Sequence, residues 1–224
     1  MLNVCICYGI IFTIPGANLT FGVIILANKR RRAKNSQEVK KLAIGGILTA
    51  LVVVLQMMGQ FIKFGPFAIS LVLIPIVLGA ALCDYKTSTW LGFIFGVVVL
   101  FTDAAAFLAV SVPGTIITVL VKGTLCGLVA GLVYKLFEKK NRYLAVILSA
   151  IACPLVNTGI FLLGCVVFFL DTIKEWGAAG GFENAAQFLI VGMVGINFLV
   201  ELSVNIFLSP IVVRLLDFSK KIHK

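Results

Sequence analysis

Three polar side chains recur at intervals of four residues inside a long apolar stretch near the C-terminus. Asn197, Glu201 and Asn205 lie within residues 187–213, which are apolar for longer than a bilayer is thick. Steps of four residues keep all three on one helical stripe about 80° wide. A charged residue at the bilayer centre costs roughly 2.5–3.5 kcal/mol on insertion scales. The stripe should therefore face the interior of a bundle, either as a ligand site or as interhelical hydrogen bonding.

Two more polar residues, Lys122 and Asn157, fall near the middle of other apolar segments. Counted at about 1.5 Å per residue, they reach the same depth as Asn197 and Glu201. Because ionisable residues at membrane depth usually serve a function, these four are predicted to form a small-molecule site. An ion pair between Lys122 and Glu201 without a ligand is the alternative. Lys122 also suggests a ligand with a carboxylate or another anionic group.

Other polar and aromatic residues border the predicted site. Asn205 continues the stripe, and Trp176 lies in the longest outer loop, 171–186, which suggests either a lid or an interfacial anchor. Both are assigned to the substrate-binding residues. Asp103 and its neighbour Thr102 lie near the outer end of their segment, where they either rim the cavity or contact water.

The composition is that of a polytopic membrane protein. Of the 224 residues, 61% are hydrophobic and only 12% are charged. The formal charge of +10 does not indicate nucleic-acid binding, because the basic residues lie between apolar runs. The six cysteines form no CxxC pair and the only histidine is His223 in the basic tail, so no metal site or cofactor is predicted. Since GxxxxGK(S/T), GxSxG and HExxH are absent, neither an ATPase nor an enzyme is expected.

The apolar residues predict an all-α integral membrane protein with a six-helix domain over residues 42–215. Its segments are 42–59, 67–83, 89–110, 113–136, 143–170 and 187–215. Of the 19 Lys and Arg residues, 16 lie on one side of this arrangement, only Lys63 and Lys174 lie on the other, and Lys122 lies within a predicted helix. This bias places both ends of the domain in the cytoplasm, with a basic linker at 29–41 and a basic tail at 216–224.

Small residues recur at spacing four in several segments, for example at Gly92 and Gly96 and again at Gly123, Gly127 and Gly131. Such faces let two helices approach closely, so packing within the bundle is their predicted role.

Residues 1–28 form a separate hydrophobic segment before the linker. Its charges follow the apolar run, whereas those of a secretory signal precede it. Pro15-Gly16 interrupts the run. An extra spanning helix, a re-entrant hairpin and a non-native extension are all open interpretations.

Several motifs follow one another in a characteristic order. The first helix is rich in small residues, the second contains ISLVLIPIVLGAAL and the third opens with GFIFGVV. The stretches VKGTLCGLVAGLVYK and NTGIFLLGC follow in the next two helices. In this order over residues 41–215, they resemble the substrate-capture (S) component of energy-coupling factor (ECF) vitamin importers.

The resemblance implies a six-helix S-component fold with an outward-open pocket, built mainly from helices four to six and the outer loops. It implies a water-soluble vitamin or related micronutrient as ligand, and a prokaryotic plasma membrane as location. The implied partners are a transmembrane coupling protein and two cytoplasmic ABC ATPases. Family members contact the coupling protein through Ala-x-x-x-Ala on the first helix. Here Gly46 and Ala50 have that spacing, with glycine in place of the first alanine.

Two other functions stay open. A small secondary transporter would use Glu201 as a proton carrier and would transport alone, but no inverted repeat supports it. A structural membrane subunit would bind no ligand and would tolerate alanine at Lys122, Asn157, Asn197 and Glu201.

Overall fold

A computed structural model describes most of the chain. It gives the backbone of residues 18–61, 63–64, 67–68 and 71–221 and the side chains of residues 36–61 and 71–217. The interpretations of the hydrophobic segment 1–28 therefore fall mainly outside the described residues. Of the two compact units, residues 1–42 and residues 43–224, the second holds the features discussed below.

The described chain is almost entirely helical. Its helices are α1 Asn18–Gly59, α2 Leu73–Leu82, α3 Tyr85–Thr102, α4 Ala105–Leu108, α5 Val112–Phe137, α6 Arg142–Phe168, α7 Leu170–Ala179, α8 Ala185–Gln187, a π-helix Phe188–Gly195 and α9 Ile196–Lys221. A short antiparallel hairpin precedes α2, with strands β1 Lys63–Phe64 and β2 Phe67–Ala68. Helix α1 includes the residues of the predicted linker 29–41.

Five helical stretches of the described chain are long and apolar enough to cross a membrane. They are Ser36–Gly59, Tyr85–Thr102, Val112–Phe137, Arg142–Phe168 and Ala185–Asp217. The all-α membrane class is thus confirmed, whereas the count of six spanning helices is not.

The difference lies in the predicted segment 67–83. Its first residues belong to β2 and a turn, and α2 has only 10 residues. That length spans about 15 Å, half of a hydrocarbon core of about 30 Å.

Polar residues between the apolar segments fix where the helices begin. Asp84 Oδ1 accepts the N–H of Thr87 at 2.9 Å at the start of α3. Ser111 Oγ accepts the N–H of Gly114 at 3.3 Å at the start of α5. Asn141 Oδ1 accepts the second and third N–H groups of α6 at 2.9 and 3.3 Å. These side chains satisfy N–H groups that lack an intrahelical partner.

Helices α3 and α5 pack through their glycines. A Cβ atom added at Gly92 or Gly127 would overlap backbone atoms of the opposite helix. The Ser88 hydroxyl donates to the Gly127 carbonyl at 2.8 Å across this interface. The predicted role of the glycine spacing in bundle packing is confirmed for these two helices.

We expect Gly123→Ala to destabilise the protein. The new methyl group would meet the Gly92 carbonyl oxygen and the backbone of Gly96, so the helices would have to separate. Overpacking of this kind costs about 1–3 kcal/mol. The matched control is Gly159→Ala, because a Cβ there has no atom within 4 Å. Thermal unfolding in detergent should show a lower Tm for the first variant only, and equal Tm values would contradict the packing argument.

Candidate functional site

A cavity opens among α3, α5, α6, the π-helix and α9. Its empty volume is about 750 Å³, a figure that includes the open solvent at its mouth. Its polar and ionisable lining residues are Asp103, Thr115, Thr118, Lys122, Asn157, Thr158, Asn197 and Glu201. Its aromatic lining residues are Phe107, Phe161, Phe169 and Phe198.

The four residues predicted at mid-depth all line this cavity. Lys122 comes from α5, Asn157 from α6, and Asn197 and Glu201 from α9. Asn197, Glu201 and Asn205 are 7%, 5% and 4% exposed, so the stripe on α9 is buried as its spacing predicts. Side chains from three helices that are separate in sequence therefore meet at one place.

Asn205 and Trp176, also assigned to the substrate, do not line the cavity. The Asn205 side-chain amide donates to the Glu201 carbonyl on its own helix at 2.8 Å. The Trp176 ring packs edge-on against Phe107 with 5.5 Å between centroids. Trp176 thus supports a wall residue of the cavity, and Asn205 belongs to the packing below it.

Gly46 and Ala50 lie elsewhere, on an exposed face of α1. A Cβ added at Gly46 meets no atom within 4 Å, whereas Leu48 and Val52 on the same helix are buried in the core. Gly46 and Ala50 are therefore accessible to a partner that is not part of the described fold.

The Lys122 ammonium lies between aromatic rings and acidic groups. Its nitrogen is 5.1 Å from the ring centre of Phe161 and 5.7 Å from that of Phe95. The carboxylates of Glu201 and Asp103 are close enough to interact with its charge. Ring faces and carboxylates both attract a cation, which explains how a lysine is tolerated at this depth.

Two buried polar atoms of the lining have no hydrogen-bond partner among the described residues. They are Asn157 Oδ1 and Thr118 Oγ1, on side chains that are 5% and 4% exposed. A buried polar atom without a partner costs about 1–3 kcal/mol, so few are retained without a reason. When a polar ligand fills the cavity, Asn157 Oδ1 can accept a hydrogen bond from it, and the Thr118 hydroxyl can accept or donate one.

Asp103 is held by a pair of glutamines that the sequence analysis did not identify. The side-chain amides of Gln56 and Gln60 each donate to Asp103 Oδ2 at 2.7 Å. The Thr102 hydroxyl lies 3.2 Å from the same oxygen and shares its single proton with the Val98 carbonyl at 3.1 Å. The sequence placed Asp103 either at the rim of the cavity or in contact with water. In the structure, Asp103 lies at the rim of the cavity. Gln56 lies on the apolar helix α1 and Gln60 in the turn directly after it, four residues later, so the spacing that revealed the stripe on α9 could also have revealed them.

An aromatic cluster forms one wall of the cavity. Phe107 packs edge-on against Phe161 and Phe169, with 5.7 and 5.0 Å between ring centres. This cluster could not be predicted from the sequence, which contained no signal for it, because its members come from separate elements and resemble lipid-facing residues. Nor did the sequence contain a signal for the π-helix, whose wide turn brings Met193 and Val194 to the cavity.

Comparison with known proteins identified one family. A model described as "ECF transporter, substrate-specific component" matches residues 40–213, which is most of the chain. No curated protein and no solved structure gives a match.

We expect the stabilities of Lys122 and Glu201 variants to be coupled. Lys122→Met leaves two cavity carboxylates without their cation and should lower the Tm. Adding Glu201→Gln removes one of those charges and should recover part of the loss. For neighbouring charged residues, double-mutant cycles give coupling energies of about 0.5–3 kcal/mol. Purely additive Tm changes in the single and double variants would show that the two side chains do not interact.

Proposed function

The chain belongs to the family of substrate-specific components of ECF transporters, and we propose that it captures a water-soluble vitamin or related micronutrient in the cavity described above. The match agrees with the resemblance drawn from the order of the motifs, and it places the chain among transporter components rather than in an enzyme family. In this proposal a coupling protein and two ATPases then drive release of the ligand into the cell.

The observation that carries the proposal is the pair of orphaned polar atoms in the cavity. Asn157 Oδ1 and Thr118 Oγ1 come from adjacent helices, α6 and α5, and both are buried without a partner among the described residues. A purely structural subunit gains nothing from such atoms, because apolar side chains of the same shape would be more stable there. A substrate site needs them to orient a polar ligand.

The charge distribution supports an orientation for capture from outside. With 16 Lys and Arg residues on one side and two on the other, both ends of the membrane domain are proposed to be cytoplasmic. Residues 171–186, predicted as a loop, mostly form α7 and the start of α8. They then lie outside, near the cavity wall that Trp176 supports through Phe107. The proposed location is the plasma membrane of a prokaryote.

A proton-coupled secondary transporter is the second candidate, because Glu201 is a buried carboxylate on the cavity surface. Such a protein would accumulate its ligand in liposomes without any partner. The proposed S component would bind the ligand there but would not accumulate it.

Isosteric threonine variants on α5 test the ligand site. Thr118→Val removes an orphaned hydroxyl from the cavity, whereas Thr124→Val removes one that donates to the Leu120 carbonyl of its own helix at 2.7 Å. Losing one ligand hydrogen bond costs about 1 kcal/mol, or roughly fivefold in affinity. We expect Thr118→Val to carry less co-purified ligand than the wild type, with an unchanged or higher Tm in ligand-free protein. Thr124→Val should carry a normal amount.

The readout is mass spectrometry of small molecules released from protein expressed in complex medium. Asn157→Leu provides an independent second variant, for which we expect the same loss of ligand. If the wild-type protein releases no small molecule, or if Thr118→Val and Asn157→Leu both carry wild-type amounts, the proposed function is wrong.

The exposed face of α1 is the proposed contact with the coupling protein. Gly46→Leu or Ala50→Leu should block close approach of another helix and reduce uptake by the whole complex, while the isolated chain still binds its ligand. The control is Gly159→Leu, at a position where a Cβ also has no atom within 4 Å. Vesicle uptake and ligand binding are measured on the same variants. Normal uptake by both α1 variants would place the contact elsewhere.

A further inference from the structure

We propose that the cavity takes a cationic aromatic ligand, with Asp103 as its anionic anchor and Gln56 and Gln60 as positioning residues for that carboxylate. This inference rests on the proposed function, since it names the chemical class of the substrate. It also revises the expectation, drawn from Lys122 alone, that the ligand is an anion.

The first support is the charge balance of the lining. Among the described residues, the ionisable side chains that line the cavity are Asp103, Lys122 and Glu201. When all three are ionised, two carboxylates face one ammonium and the cavity carries one negative charge in excess. A cationic ligand neutralises this charge, whereas an anionic ligand would add to it in a medium that screens charge poorly.

The second support is the set of groups around Asp103. The partners of Oδ2 are neutral, namely the amides of Gln56 and Gln60 and the hydroxyl of Thr102. Oδ1 has no hydrogen-bond partner among the described residues. Two amide donors at 2.7 Å fix the carboxylate without neutralising it, and they leave the other oxygen to accept from a ligand.

The glutamines fit the role of positioning residues. Gln56 is only 2% exposed, and neither Gln56 nor Gln60 lines the cavity. Their amides act on a ligand only through the carboxylate that they hold.

The third support is the position of Lys122. Its ammonium lies over the rings of Phe161 and Phe95 and within the field of both cavity carboxylates. An anion that bound Lys122 would have to displace these interactions and would meet Glu201 and Asp103. Lys122 therefore limits the negative charge of the cavity and does not recruit an anion.

The aromatic wall of the cavity is the reason to propose that the ligand contains an aromatic ring. Phe107, Phe161 and Phe169 form an edge-on cluster on the cavity surface. Such rings pack well against a flat ring, and their faces attract a positive charge. An aromatic ligand with an ammonium or similar group would satisfy this wall and Asp103 together.

Three indole probes of similar size and different charge test the inference on the full chain in detergent. They are tryptamine, a cation, tryptophol, which is neutral, and indole-3-acetate, an anion. Isothermal titration calorimetry should rank tryptamine first and indole-3-acetate last. Asp103→Asn keeps an oxygen for the glutamines but loses the charge, and it should cost tryptamine about ten- to hundredfold in affinity, as for a hydrogen bond to a charged group. The matched control is Asp171→Asn, at an acid that is 92% exposed and outside the cavity, and it should change nothing.

Two further variants separate the charge from its positioning. Lys122→Met should retain or strengthen tryptamine binding, although it would abolish binding of an anion that used Lys122. Gln60→Leu should weaken tryptamine binding while tryptamine is still preferred over indole-3-acetate, because the carboxylate is present but less well held. Asp103→Asn should lose that preference, which a merely structural role of Asp103 would leave intact.

The inference is overturned if indole-3-acetate binds best, if none of the three probes binds, or if Asp103→Asn and Asp171→Asn behave alike. These results would leave the proposed function standing as long as a ligand co-purifies with the wild-type protein. An anionic co-purified ligand would overturn the charge assignment alone, whereas the absence of any co-purified ligand would overturn both proposals.

Discussion

The hydrocarbon core of a bilayer offers no hydrogen-bond partner, so every polar side chain at that depth must be satisfied inside the protein. The described fold meets this constraint for Asn205, which bonds to its own helix, and for Ser88, which bonds across to α5. It leaves the constraint unmet at Asn157 and Thr118, which both line one cavity. Among the described residues, buried atoms without a partner also occur away from the cavity, at Gln56 Oε1 and Tyr134 OH, but the cavity has two such atoms, on the neighbouring helices α5 and α6.

Helix α5 shows how close packing and a cavity are built into one element. Its second half carries Gly123, Gly127 and Gly131, which allow the backbone of α3 to approach. Its first half carries no glycine over residues 115–122 and contributes Thr115, Thr118 and Lys122 to the cavity instead. A glycine face brings helices together, whereas larger side chains hold them apart. One helix thus carries both the glycines that pack against α3 and the polar side chains that line the cavity.

The sequence predicted the position of a side chain best where exposing that side chain to lipid would cost much free energy. Asn197 and Glu201 could be placed in the interior because exposing them to lipid is costly, and both line the cavity. The ten-residue α2 and the π-helix were not predictable, because apolar periodicity does not distinguish a short or widened helix from a regular one. The aromatic wall around Phe107 was missed for a similar reason. A phenylalanine is equally stable against lipid and inside a bundle, so only tertiary contacts reveal its role.

Gln56 and Gln60 give α1 a part in the cavity although neither residue lines it. They hold Asp103 through two hydrogen bonds of 2.7 Å. Gln56 lies ten residues beyond Gly46 on the same helix, which is about 15 Å along its axis. Hydrogen bonds to a carboxylate are stronger than those between neutral groups, so a shift of α1 relative to Asp103 carries a real energetic cost. A coupling protein bound to the exposed face of α1 would therefore act on an element that is already bonded to the cavity rim. No separate relay of side chains is needed between the proposed docking face and the ligand site.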